Sequence, residues 1–152
     1  MDNSGNRLVE IFFYGLHMDA ASLRQKGIAI RQPRLATILH HRVAVREKAM
    51  LLREKAMLLR EKAMLLREKD ALAYGMLYQL THAEIDMLYQ HQTGYRAEAF
   101  LANDGEHEAC AISMVHIEPP IDSPVDYDYV SRLRTVLEQL GFPVDHLPAP
   151  IA

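Results

Sequence analysis

Three places in this sequence carry residue types suited to proton transfer or anion binding. The first is Tyr95-Arg96-Ala97-Glu98-Ala99-Phe100, where strand alternation puts Arg96 and Glu98 on one face and the two alanines on the other. A carboxylate beside a guanidinium is either a cross-strand ion pair or an acid/base group able to carry a proton. Both readings stay open. The second is His91, whose ordinary pKa near neutrality suits a base; its simpler role is a solvent-facing residue at a helix end. The third is backbone rather than side chain. Tyr14-Gly15-Leu16-His17-Met18 follows the apolar run Leu8–Phe13 and precedes a helix-start signal at Asp19. A strand, a glycine-bearing turn and a helix leave several N–H groups pointing one way, and such a nest binds a carboxylate or phosphate.

Other reactive residue types are better explained by structure. Glu84 closes a capping box with Thr81 at the start of a helix. His40-His41 and His107-Glu108 are adjacent pairs on strands, so each pair points to opposite faces and cannot clamp a metal. Cys110, between alanines and an isoleucine, reads as a small core residue. No metal or other cofactor is expected.

The elements that must position these groups follow from patterning. Asp19 caps a short helix over Ala20–Lys26, ended by Gly27. Leu35–Leu39 and Arg42–Val45 read as strands interrupted by the two histidines. Ala71–Leu80 is a strand with Tyr74, Met76 and Tyr78 on one face, and Gly75 allows close backbone approach. A short helix follows Thr81, burying Ile85, Leu88 and Tyr89, and Gly94 lies past its end. Tyr95–Ala102 and His107–His116 pair around Asn103-Asp104-Gly105-Glu106, a hairpin signal. Pro119, Pro120 and Pro124 mark an extended crossing. Asp126 or Asp128 starts the last helix, which buries Val130, Leu133, Leu137 and Leu140 and is stopped by Gly141 and Pro143.

Residues 46–69 stand apart. Arg-Glu-Lys-Ala-Met-Leu-Leu occurs three times unchanged, from Arg46, Arg53 and Arg60, and Arg67-Glu68-Lys69 begins a fourth copy. Identical copies imply recent tandem duplication or deliberate construction. All residues of the unit are good helix formers, and seven is odd, so in a strand each copy would flip its side chains. We read the repeat as helix, with an extended β-hairpin as the alternative. The exposed Met and Leu side chains need a covering surface, which makes homo-oligomerisation through 46–69 a second expectation.

The chain has 152 residues, enough for one domain, here interrupted by the repeat. A formal charge of −3 without a basic stripe gives no reason to expect nucleic acid. No apolar run is long enough for a bilayer span, so no membrane partner is expected. One cysteine allows no internal disulfide, and the polar N-terminus has no secretory h-region; a cytoplasmic location fits.

Phe13-Tyr14-Gly15-Leu16-His17-Met18 resembles the Tyr-Gly-Ser-x-Met-type loop of the γ-glutamylcyclotransferase-like family. The likeness continues through Ala73–Thr81, Ala83–Asp86 and Tyr95-Arg96, and resumes at Asp128–Pro143. It implies an α+β fold, a small curved mixed sheet or partial barrel with flanking helices. It also implies binding of a small γ-glutamyl or other carboxylate ligand at Tyr14, Gly15, Leu16, His17 and Met18, with Tyr129 lining the pocket, and release of 5-oxoproline. The family's proton-carrying glutamate would fall within Leu88–Arg96, which holds no glutamate or aspartate. That leaves Glu98 and His91 as candidates for catalysis. The alternative is a non-catalytic scaffold that self-associates through its repeats.

Overall fold

In the computed structural model the described residues are 5–45, 63–90, 94–117, 127–145 and 147. Five strands form a closed barrel in the order β1-β3-β2-β4-β5. They are β1 (Leu8–Phe13), β2 (Arg34–Val45), β3 (Ala63–Thr81), β4 (Tyr95–Asn103) and β5 (Glu108–His116). Among the described residues the α-helices are α1 (Ala20–Gln25), α2 (His82–Tyr89) and α3 (Tyr127–Leu140). The architecture is the expected α+β one. The sheet is mixed, because β1 meets β5 in parallel at Ile11↔Ile112 while the other pairings are antiparallel.

The local signals account for most element ends. Asp19 accepts a hydrogen bond from the Ala21 amide at 3.2 Å, and Gly27 takes the left-handed φ of 81° that ends α1. The capping box at α2 is complete: the Glu84 amide donates to Thr81 Oγ1 and the Thr81 amide donates to the Glu84 carboxylate. In the β4–β5 turn, Asp104 Oδ1 accepts from the amides of Glu106 and His107, which hold its carboxyl below the usual range. Tyr129, Val130, Leu133 and Leu137 of α3 are buried in the core.

The strand β3 runs nineteen residues, eight further toward the N-terminus than expected. Residues 63–69, the end of the third repeat copy and the start of the fourth, are therefore strand, and the helical reading does not hold for them. Cross-strand pairing overrides their helix propensity: Arg42↔Leu66, Val43↔Leu65, Ala44↔Met64 and Val45↔Ala63. The rest of the repeat, residues 46–62, lies outside the described residues; of the Met and Leu side chains that the self-association reading invoked, Met64 and Leu65 are among those described and are buried within the chain.

The β2–β3 pair is broken where the two histidines stand. The register shifts between Leu39↔Leu72 and His41↔Arg67, and His40 and Asp70 both adopt left-handed backbone, with φ of 62° and 65°. The Asp70 amide donates to His40 Nδ1 at 3.0 Å, so the irregularity on one strand is pinned to that on the other. Beyond this break Val43, Val45, Ala63 and Met64 are buried again.

Gly75 sits where β3 passes β1. A Cβ built there would lie 2.3 Å from the Phe13 carbonyl oxygen and 2.5 Å from the Phe12 ring. Gly75→Ala is therefore expected to lower the unfolding free energy by about 3 kcal/mol, read by chemical denaturation. A loss under about 0.5 kcal/mol would mean that the strands part freely at this point.

Candidate functional site

The Tyr14–Met18 turn is held from three sides. Tyr14 donates its hydroxyl to the Met114 carbonyl at 2.7 Å, and the Tyr78 hydroxyl donates to the Met18 carbonyl at 2.5 Å. Burial raises the Tyr78 pKa to about 12, helped by the negative charge of Asp19 and opposed by Arg24, so this phenol stays a donor. The Leu16 amide donates to the Tyr129 hydroxyl at 3.3 Å. Tyr129, to which the resemblance gives a pocket-lining role, is buried and is tied to the turn by this bond.

A 3₁₀ turn over Leu16–Met18 consumes two further amides, Met18 N–H on the Gly15 carbonyl and Asp19 N–H on the Leu16 carbonyl. The amides of Gly15 and His17 make no hydrogen bond among the described residues. Beside Gly15 lies a cavity of about 10 Å³, walled by Phe13, Tyr14, Tyr89 and Met114. That is room for one water, or for one oxygen atom of a carboxylate or carbonyl. Tyr89 is absent from the sequence-based candidates; it lies in the interval where the resemblance led us to look for a glutamate.

His17 is 7% exposed, packed between Phe13 and Tyr89 with ring centroids 5.3 and 6.1 Å away. Lys26 Nζ donates to His17 Nε2 at 3.1 Å. The neutral ring then carries its hydrogen on Nδ1, and this buried atom has no partner among the described residues. Burial first, and the Lys26 charge second, lower the His17 pKa to about 4. The sequence-based reading as one member of an amide nest gave no sign of this buried ring.

The larger cavity, about 310 Å³, opens where the outer half of the β2–β3 pair faces β4 and the end of β5. Its polar lining is Arg67, Arg96, Glu98, His41 and His116. Phe100, Val115 and Ile117 supply apolar wall, and His41 meets Phe100 edge-on at 5.2 Å. Arg96 and Glu98 share a face, as alternation requires, with Arg96 N–H 4.0 Å from the Glu98 carboxylate. Their ion pair runs along β4 rather than across strands: their cross-strand partners are Val115 and Ser113. The Glu98 side chain is 34% exposed, open to a ligand in the cleft. A row of rings joins the two cavities, with Tyr89 to Tyr95 5.7 Å and Tyr95 to His116 4.6 Å between centroids.

His91 lies outside the described residues. Glu84 is committed elsewhere: it caps α2 and receives Arg31 N–H at 2.7 Å. Burial pushes its carboxyl up, but hydrogen bonds from Arg31, Thr81 and Ala29 outweigh this and hold it below its ordinary value. The pair Glu10 and Arg34 is likewise tied up, with Gln79 donating to the same carboxylate at 3.0 Å. Among the described residues no helix is long and apolar enough to cross a membrane.

No protein-family model matches the chain, and no curated protein sequence does. Solved structures do. YkqA from Bacillus subtilis matches at 18% identity and TM-score 0.65, over 88% of this chain and 49% of that one. The chain thus spans about half of YkqA. A γ-glutamyl cyclotransferase matches at 10% identity and TM-score 0.68, over 92% of this chain and 84% of that one. A yeast γ-glutamyl cyclotransferase specific to glutathione matches at 12% identity and TM-score 0.58, over 88% of each chain. The fold is therefore that of the γ-glutamyl cyclotransferase-like proteins.

The buried imidazole gives a pH signature. Its folded-state pKa lies below the unfolded value, so between pH 6.5 and 4 the unfolded chain binds the extra proton. Stability held above pH 6.5 is lost as pH falls toward 4, by about 3 kcal/mol from this group at most. Denaturant titrations of the native protein and His17→Phe should converge or cross over that interval. A constant difference between them from pH 7 to pH 4 would mean that His17 protonates freely in the folded state.

Proposed function

We propose that the chain binds a small γ-glutamyl compound in the 310 Å³ cleft and releases 5-oxoproline from it, with Glu98 as proton carrier. The observation that carries this reading is that Glu98 stands at a cleft that Arg96 and Arg67 also line, on the fold that named γ-glutamyl cyclotransferases share. The volume is at the lower end of the roughly 300–1,000 Å³ of small-molecule sites.

The chemistry needs one group that first accepts and then returns a proton. In the proposed reaction the Glu98 carboxylate takes a proton from the ligand's α-ammonium. The freed nitrogen attacks the γ-carbonyl carbon of the same glutamyl unit, and a five-membered ring closes through a new C–N bond. The old amide C–N bond then breaks as Glu98 gives its proton to the departing nitrogen, and Glu98 carries the ring nitrogen's second proton to the freed amine, which leaves as an ammonium while the ring keeps one N–H. Arg96 holds the glutamyl unit's own carboxylate and keeps that unit folded on itself, which is the entropic part of the work.

Incubation with γ-glutamyl amino acids should yield 5-oxoproline, detected by mass spectrometry. Glu98→Gln, which keeps size and removes the proton, should slow release by roughly 10²- to 10⁴-fold with little change in melting temperature. No 5-oxoproline from the native protein, or an unimpaired Glu98→Gln, would overturn the reading.

A further inference from the structure

One wall of the cleft is built from the repeated heptapeptide: Leu65 and Leu66 close the third copy and Arg67 opens the fourth. Arg67 is exposed and makes no ion pair among the described residues. Its sequence neighbour Glu68 is engaged instead by Arg42, at 3.2 Å. Across the cleft Arg96 stands only at the limit of an ion pair with Glu98, 4.0 Å away. Counting arginine and glutamate, the lining carries one positive charge more than negative. A γ-glutamyl amine has one carboxylate and one ammonium, and is neutral overall. A γ-glutamyl amino acid adds a second carboxylate, and its net charge of minus one complements the cleft.

We propose that Arg67 is a specificity-determining residue that binds the second carboxylate of a γ-glutamyl amino acid, and that the repeat preserves this wall when copies are lost. This rests on the cleft being the ligand site, as proposed above. The second half of the inference follows from sequence identity. Removing residues 53–59 takes out one heptapeptide and leaves the segment equivalent to 63–69 unchanged, still preceded by an identical copy. The pairs that fix the wall, His41↔Arg67 and Val43↔Leu65, lie beside the His40–Asp70 break rather than in the deleted segment. The strand therefore keeps its register from its fixed end.

The test compares γ-glutamylalanine with γ-glutamylethylamide, which differ by the second carboxylate, by titration calorimetry. The native protein should bind γ-glutamylalanine about tenfold or more tightly than the ethylamide. Arg67→Gln should weaken γ-glutamylalanine to the level of the ethylamide and leave the ethylamide unchanged. The chain lacking residues 53–59 should keep the native preference within about twofold. Equal native affinities, or an Arg67→Gln variant that weakens both compounds alike, would overturn the role of Arg67 while leaving the cleft as a binding site. Loss of the preference on removing one copy, in a protein with native melting behaviour, would overturn the preservation of the wall. Failure of both compounds to bind the native protein would remove the cleft reading and this one with it. Arg67→Lys separates charge from geometry: it should keep part of the preference, because a point charge replaces a fork.

Discussion

Where β3 runs past the end of its antiparallel partner β1, the two backbones are so close that a single methyl on Gly75 would meet the Phe13 carbonyl and the Phe12 ring. The position of the Tyr14–Met18 turn depends on that approach. Phe12 and Phe13 lead directly into the turn, and Tyr78, three residues beyond Gly75, reaches the Met18 carbonyl from the same strand. Ser113 seals the opposite edge of β1 by donating its buried hydroxyl to the Phe12 carbonyl at 2.9 Å. The turn is thus clamped between two strands that do not neighbour each other. Its remaining polar freedom, two amides and space for one oxygen, is what this clamping leaves over.

The second organising feature is the break at His40 and Asp70. Beyond the two left-handed residues Val43, Val45, Ala63 and Met64 are buried, and Arg67 shares the cleft with Arg96 and Glu98 of β4. The cleft lies beside this break, with His41 and Arg67 in its lining. Its lining mixes two guanidiniums with apolar wall.

What could be read from the sequence was local. Gly75, the Thr81–Glu84 box, the Asn103–Gly105 turn and the shared face of Arg96 and Glu98 depend on neighbours a few residues away, and the structure has all of them. The repeat shows where local reasoning stops. Ala63–Lys69 has strong helix propensity, yet Val43, Ala44 and Val45 supply a pairing edge that no property of the repeat itself reveals. The face-flipping objection needs several copies in one strand, whereas the described strand holds about one. The cleft was illegible for the same reason: His41, Arg67, Glu98 and His116 come from four strands. The burial of His17 depends on Phe13, Tyr89 and Lys26 converging, and only the last is near it in sequence apart from the adjoining strand.

The barrel's two narrow junctions are unequal. β1 and β5 meet at one pair of residues, but Ser113 and Tyr14 stitch them with side-chain hydrogen bonds. β2 and β4 also meet at one pair, Thr37↔Asn103, and beyond it the His41–Phe100 ring contact spans the gap beside the cleft. The molecule therefore consists of a three-stranded leaf and a two-stranded leaf, riveted along one margin and merely latched along the other. Local opening is expected to favour the junction with fewer cross-links, and a molecule bound there would oppose that opening by linking the two leaves.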